Sequence, residues 1–248
     1  MDQTEYIGIL RKRRDAPALL REGSTRDDFD YRAGAEAILE IGGPGDIFSA
    51  GRDWREFDFP RGLERLIAMG SAEFIHKAGI FWKEFDHEAG MNALFSSGDP
   101  EYIYRAGRFW KRFDHDRGLD FFARGGHARY LFYAGQEWKF FNFTAGIEAI
   151  MNCGSAEFIF YAGAHWKEFD FRRGIDRLIL TGNPEFIYKA GTLWREFDFH
   201  AAWAALASDI PGGADWRGKA FTHPRWKKAL GEIWRTASRD NGFTQGTG

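Results

Sequence analysis

Residues 74–86 read FIHKAGIFWKEFD, and near-copies of this stretch return at 102–114 (YIYRAGRFWKRFD), 130–142 (YLFYAGQEWKFFN), 158–170 (FIFYAGAHWKEFD) and 186–198 (FIYKAGTLWREFD). Tryptophan marks the register at Trp54, Trp82, Trp110, Trp138, Trp166 and Trp194, each 28 residues after the last. An Ala-Gly pair precedes every one of these tryptophans, and a Phe follows each by three residues, from Phe57 to Phe197. A degenerate copy comes before them: Gly23, Phe29-Asp30 and Gly34 align with Gly51, Phe57-Asp58 and Gly62, with Arg26 in place of Trp. A fixed period held without insertion or deletion is the signature of a repeat array.

Each unit reads as two helices. Ser71, Asp99, Ser155 and Asn183 stand where a helix N-cap is wanted, and Asp99-Pro100-Glu101 and Asn183-Pro184-Glu185 add a proline at the first helical position and an acid near the positive end of the dipole. The first helix is expected over about 72–85, with an apolar stripe of Phe74, Ala78, Trp82 and Phe85 widened by Ile75 and Gly79. Asp58, Asp86, Asp114, Asn142, Asp170 and Asp198 then cap the second helix, which ends at Gly70, Gly98, Gly126, Gly154 or Gly182. Glycine inside a helix costs about 1 kcal/mol against alanine. Its return in both helices of nearly every copy predicts close approach, with Gly79 giving room to a neighbouring Trp or Phe.

An αα-hairpin of this kind cannot bury its stripe alone and must stack on copies of itself. The fold expected is all-α: an α-solenoid of seven 28-residue αα-hairpin repeats with helical caps. Residues 1–16 supply an N-terminal capping helix with a basic tip, residues 17–210 the array, residues 211–239 a C-terminal capping helix region, and residues 240–248 a disordered tail. In the C-terminal region Trp226, Leu230 and Trp234 lie four apart and are expected to cover the last stripe.

Composition excludes several classes of function. A net charge of −2 argues against a nonspecific nucleic-acid coat or a binder of anionic membranes. One cysteine, Cys153, excludes an internal disulfide and a zinc site built from several thiolates. The opening MDQTEYIGILRKRRDAP has no apolar core of signal-peptide length, and no apolar run is long enough to span a membrane, so a soluble cytoplasmic protein is expected. Neither a catalytic residue nor a metal or cofactor site is expected. His87 and His115 are register equivalents that could approach each other, but Phe fills that position in other copies, and a packing role is the better reading. The repeated aspartates are explained as N-caps, and Cys153 as a packing residue.

Positions that vary between copies, off the buried stripe, are free for function. Positions 77, 80 and 84 and their equivalents, at helical spacing of three and four, lie on the side of the first helix opposite Trp82. The third Trp-bearing copy presents Arg105, Arg108 and Arg112 there, and the fourth Tyr133, Gln136 and Phe140. The other copies carry Glu at the last of the three positions. Guanidiniums suit carboxylates or phosphates, and aromatic faces suit a proline, another ring or a base. These six residues are the candidate partner-binding patch. The alternative is that the arginines brace one repeat against the next. The ladder of a basic residue after each Trp and an aromatic residue six before it (Lys83 and His76, for example) is read as stacking. The second helices, with Arg61/Glu64/Arg65 and Arg173/Asp176/Arg177, read as a solvated convex face. The function expected is a non-catalytic scaffold for a protein or peptide with acidic and aromatic groups; the alternative is a single-stranded nucleic-acid binder.

Overall fold

The computed structural model describes residues 2–208 and 210–242, with side chains through residue 236. The chain divides into two compact units, Met1–Gly118 and Leu119–Gly248. Unit 1 begins with α1 (Gln3–Arg13), α2 (Ala16–Thr25) and α3 (Tyr31–Ile41). It continues through α4 (Pro44–Asp53), α5 (Phe59–Ala68), α6 (Ala72–Phe81), α7 (His87–Ser97) and α8 (Pro100–Phe109), and ends within α9 (His115–Arg124). Unit 2 holds α10 (Ala128–Glu137), α11 (Phe143–Cys153), α12 (Ala156–His165), α13 (Phe171–Leu180), α14 (Pro184–Leu193), α15 (Phe199–Ala207), α16 (Gly213–Thr222) and α17 (Pro224–Gly242). Every element among the described residues is helical, and the protein is an all-α solenoid of αα-hairpins. No helix among these residues is long and apolar enough to cross a membrane.

The caps form as their chemistry dictates. Asp58 accepts from the Arg61 amide at 3.1 Å, Asp114 from Arg117 at 2.9 Å, Asn142 from Ala145 at 3.1 Å and Asp170 from Arg173 at 3.0 Å. Before the first helices Asp99 and Asn183 cap through their side chains, whereas Ser71 and Ser155 do not. Gly98 and Gly154 close their helices at φ near +70°, where a side chain would strain the backbone.

The first helix is shorter than the sequence suggests. α6 stops at Phe81, and Trp82 is its C-cap, in extended conformation at φ −75° and ψ 143°. Trp110, Trp138, Trp166 and Trp194 end their helices in the same way. Within each unit the extended cap turns the indole out of its own helix and back onto the preceding copy. Trp110 packs against Gly79, so closely that a Cβ added there would overlap the indole, and its Nε1–H donates to the His76 carbonyl at 3.0 Å. The Trp54–Gly23, Trp82–Gly51, Trp166–Gly135 and Trp194–Gly163 pairs repeat the joint. The glycine that looked like a helix defect is the receptor for the next copy's tryptophan. Ile75, Ala78 and Trp82 are buried, but Phe74 is only half-buried and leans outward on Phe48.

The ends depart from the repeat. Gly191 receives Trp226, whose Nε1–H reaches the Tyr188 carbonyl across 38 residues where the interior joints span 34. The C-terminal cap is therefore a modified hairpin of two helices, α16 and α17. Trp226 and Leu230 are buried as expected, but Trp234 is about half exposed and packs on Phe221. α17 continues through Gly242, past the boundary expected at 240, and residues 243–248 lie outside the described residues. Deleting residues 211–248 would empty the Gly191 notch and uncover α14 and α15. The expected result is a truncated chain that aggregates, read by size-exclusion chromatography; a monomer as stable as the full chain would show that Trp226 is no cap.

Candidate functional site

The early end of the first helix redraws its outward face. Arg105 and Arg108 lie on α8, but Arg112 follows the Trp110 cap in the connection to α9, so the three arginines are not one helical stripe. Tyr133 and Gln136 lie on α10, and Phe140 falls in the turn after the Trp138 cap. The arginine half of the candidate patch belongs to unit 1 and the aromatic half to unit 2. Arg105, Arg108, Arg112 and Gln136 are exposed, Tyr133 is half-buried, and Phe140 is 65% exposed.

Arg105 pairs with Glu101 at 2.5 Å and its guanidinium lies 5.8 Å from the Tyr102 ring centre. The same pair returns as Lys77–Glu73 and Lys189–Glu185, both at 2.6 Å, so this contact belongs to the repeat. Exposed pairs of this kind contribute about 0.3–0.5 kcal/mol and can exchange for a partner's carboxylate at little cost. Arg108 sits over Phe109 at 4.8 Å, Arg129 over Tyr133 at 5.6 Å and Lys139 over Phe140 at 5.2 Å.

The residues that sequence reasoning missed are at the helix end. Phe81 and Phe109, the last helical residues before Trp82 and Trp110, are 57% and 52% exposed. In unit 1 they complete two rows at helical spacing of three and four: Phe74, Lys77, Phe81 on α6 and Tyr102, Arg105, Phe109 on α8. Each row is ring, cation, ring. Lys77 lies 4.7 Å from the Phe74 ring centre, Phe81 meets Phe48 edge-on at 6.1 Å, and Phe109 meets His76 at 6.3 Å. Lys and Arg over ring faces keep their charge in water while the rings stay half-covered. The signal that points to Phe81 and Phe109 is the constant Trp beside them, once Trp is taken as the cap.

The inner rings of the ladder are structural. Phe48, Phe132 and Phe160 are buried, and Phe132 and Tyr188 stack on Trp166 and Trp226 at interplanar angles of 16° and 12°. His76 takes this place in one copy, stacked on Trp110 at 14° and only 6% exposed. Burial pushes its imidazole down to about 4, helped by the nearby Arg105 and Lys77 charges, and its Nε2 has no hydrogen-bond partner among the described residues. His87 packs edge-on against the same Trp110 at 5.7 Å, and burial lowers its pKa too. His87 Nδ1 meets the Phe85 carbonyl at 3.1 Å and His115 Nε2 the Gly107 carbonyl at 3.0 Å, contacts that suit packing histidines. No group of three or more potential metal ligands occurs among the described residues. Cys153 ends α11, and burial raises its thiol pKa.

No family model matches the chain, and no curated protein matches it. Among solved structures it is similar to a Sel1 repeat protein from Oxalobacter formigenes, at 14% identity over 94% of this chain and 90% of that one, with a TM-score of 0.32. That likeness is too distant to carry an argument, and the fold rests on the hairpins and joints described above: the protein is a helical-repeat solenoid.

Proposed function

We propose that the chain is a non-catalytic scaffold that holds a protein or peptide partner on the outward face of its first helices. The observation that carries this reading is the pair of ring–cation–ring rows on α6 and α8, with Phe81 and Phe109 more than half in water. Aromatic and arginine side chains are enriched in the cores and hot spots of protein interfaces. They suit proline or aromatic side chains, with Lys77, Arg105, Arg108 and Arg112 turning to the partner's carboxylates. Tyr133, Gln136 and Phe140 are proposed as a second surface of the same kind, on unit 2. The acidic partners already present in the rows, Glu73 and Glu101, disfavour a polyphosphate strand as the occupant.

The test is retention of partners from the source extract, with and without nuclease. Phe81→Ser with Phe109→Ser is expected to abolish retention while the helical spectrum stays intact, since surface changes of this kind usually shift stability by no more than about 0.5 kcal/mol. Replacing Arg105, Arg108 and Arg112 by Glu should weaken it at least about tenfold. Loss of retention after nuclease, or a fall of about 10³-fold between roughly 50 and 200 mM salt, would identify a nucleic acid instead. Unfolding of the triple arginine variant would make those residues braces between repeats.

A further inference from the structure

The second helices carry an arginine device at some seams and not at others: α7, α11 and α15 have alanine at both of its positions, Ala89/Ala93, Ala145/Ala149 and Ala201/Ala205. Arg65 of α5 sends its Nε–H to the Leu39 carbonyl at the end of α3, at 3.1 Å. Arg177 of α13 does the same to the Met151 carbonyl of α11, at 2.6 Å. One helical turn earlier, Arg173 of α13 pairs with Glu148 at 2.6 Å, and Arg117 of α9 donates to Asn92 at 2.7 Å. α13 thus plugs its seam to α11 twice, through a carboxylate and a C-terminal carbonyl, whereas α5 and α9 each make one of the two kinds of contact.

At the seam between α5 and α7 both plugs are missing. Ala89 stands at the position of Arg117 and Arg173, and Ala93 at that of Arg65 and Arg177. The acceptors are still there. Glu64 holds the position of Glu148 and makes no ion pair among the described residues, and no side chain donates to the Ile67 carbonyl, which holds the place of Met151. Two joined grooves open here, of about 460 and 370 Å³, which share Ile67 and Ala89. Ile67, 37% exposed, and the two half-buried alanines form an apolar floor. Glu64 and Glu84 line the second groove, and Asn92, held by Arg117, lines the first.

We propose that this groove receives a helical segment of a partner protein bearing two arginines four residues apart, the spacing of Arg173 and Arg177. Their apolar stems cover Ile67, Ala89 and Ala93, one guanidinium pairs with Glu64, and the other meets the Ile67 carbonyl at the negative end of the α5 dipole. Arg173 and Arg177 make the same two contacts at the α11–α13 seam, and the charge of the acceptors is complementary. The surface is on the second helices, separate from the ring–cation–ring rows, and stands or falls independently of them.

The test uses the full chain and a fluorescein-labelled, alanine-based helical peptide carrying two arginines four residues apart, with norleucine replacing both as the control. Saturable binding of the arginine peptide alone is expected. Glu64→Gln should weaken it at least about fivefold, and Ala89→Arg with Ala93→Arg should abolish it while raising the melting temperature, because the seam then closes itself. Phe81→Ser with Phe109→Ser should leave it unchanged. No saturation up to about 1 mM, equal binding of the norleucine peptide, or undiminished binding to the plugged variant would each overturn the proposal. If the plugged variant misfolds, Glu64→Gln decides alone: unchanged affinity refutes the site.

Discussion

Trp110→Ala is expected to lower the stability of the protein by about 3–5 kcal/mol, the usual cost of truncating a buried aromatic. The indole is 6% exposed, fills the notch at Gly79 and stacks on His76. Its removal leaves a void and also leaves the His76 carbonyl without the Nε1–H. Gly79→Val should do comparable harm from the other side, since its Cβ already overlaps the indole. Both changes break one joint, so the double variant should fall well short of their sum. Denaturant unfolding followed by circular dichroism measures this. A loss below about 1 kcal/mol for Trp110→Ala would mean that the joint does not hold the copies together.

Acid is expected to weaken the same joint. His76 is held neutral, with its pKa pushed from the ordinary 6.5 down to about 4. Between these values the unfolded chain takes up a proton that the folded chain refuses. The stabilising contribution is therefore complete above pH 6.5 and is lost as the pH falls toward 4. At ~1.4 kcal/mol per pH unit the loss reaches about 2–3 kcal/mol. Burial is the main cause, the Arg105 and Lys77 charges add to it, and a backbone hydrogen bond at Arg105 offsets only part of it. His76→Phe restores the residue found at Phe48, Phe132 and Phe160 and should flatten most of this slope. What remains should come from His87, on the other side of Trp110, and from carboxylates common to both proteins. An unchanged difference between pH 6.5 and 4 in the variant would show that His76 is not the responsive group.

The period, the two helices, the second-helix caps and the glycine notch were all legible in the sequence, because each is a local chemical requirement repeated in register. Asp86 can cap only one helix, and Gly79 in mid-helix needs a reason. The end of the first helix was misread because Trp82 and Phe85 continue a helical spacing of apolar residues. Loop arithmetic resolves it: a helix reaching Phe85 with an N-cap at Asp86 leaves no connection, and an αα-hairpin needs about 2–5 residues to reverse. That shift turned attention to Arg112 and Phe140 and away from Phe81 and Phe109. Phe74 was placed in the core because it is large and apolar, yet apolar residues make up much of any protein surface. The open α5–α7 seam is visible in the sequence only as Ala89 and Ala93 replacing arginines whose structural use the pattern does not reveal.

The notch and its tryptophan also set the first and last hairpins apart from the rest. Within each unit the repeat joint runs from a glycine to the tryptophan of the following copy, so these couplings have a direction. The degenerate first copy offers Gly23 but carries Arg26 where its own tryptophan would be. At the other end Lys219-Ala220-Phe221-Thr222 repeats Lys189-Ala190-Gly191-Thr192, with Phe in the place of the notch glycine. The first hairpin is a socket without a tryptophan of its own, and the last gives a tryptophan but has Phe221 in place of the notch glycine. Inside unit 1 the couplings are interchangeable: excising residues 72–99, one whole period, would bring Trp110 to Gly51 in place of Trp82. A cut within the repeats that is not a whole number of periods would break this register, so the array can shorten only in whole links.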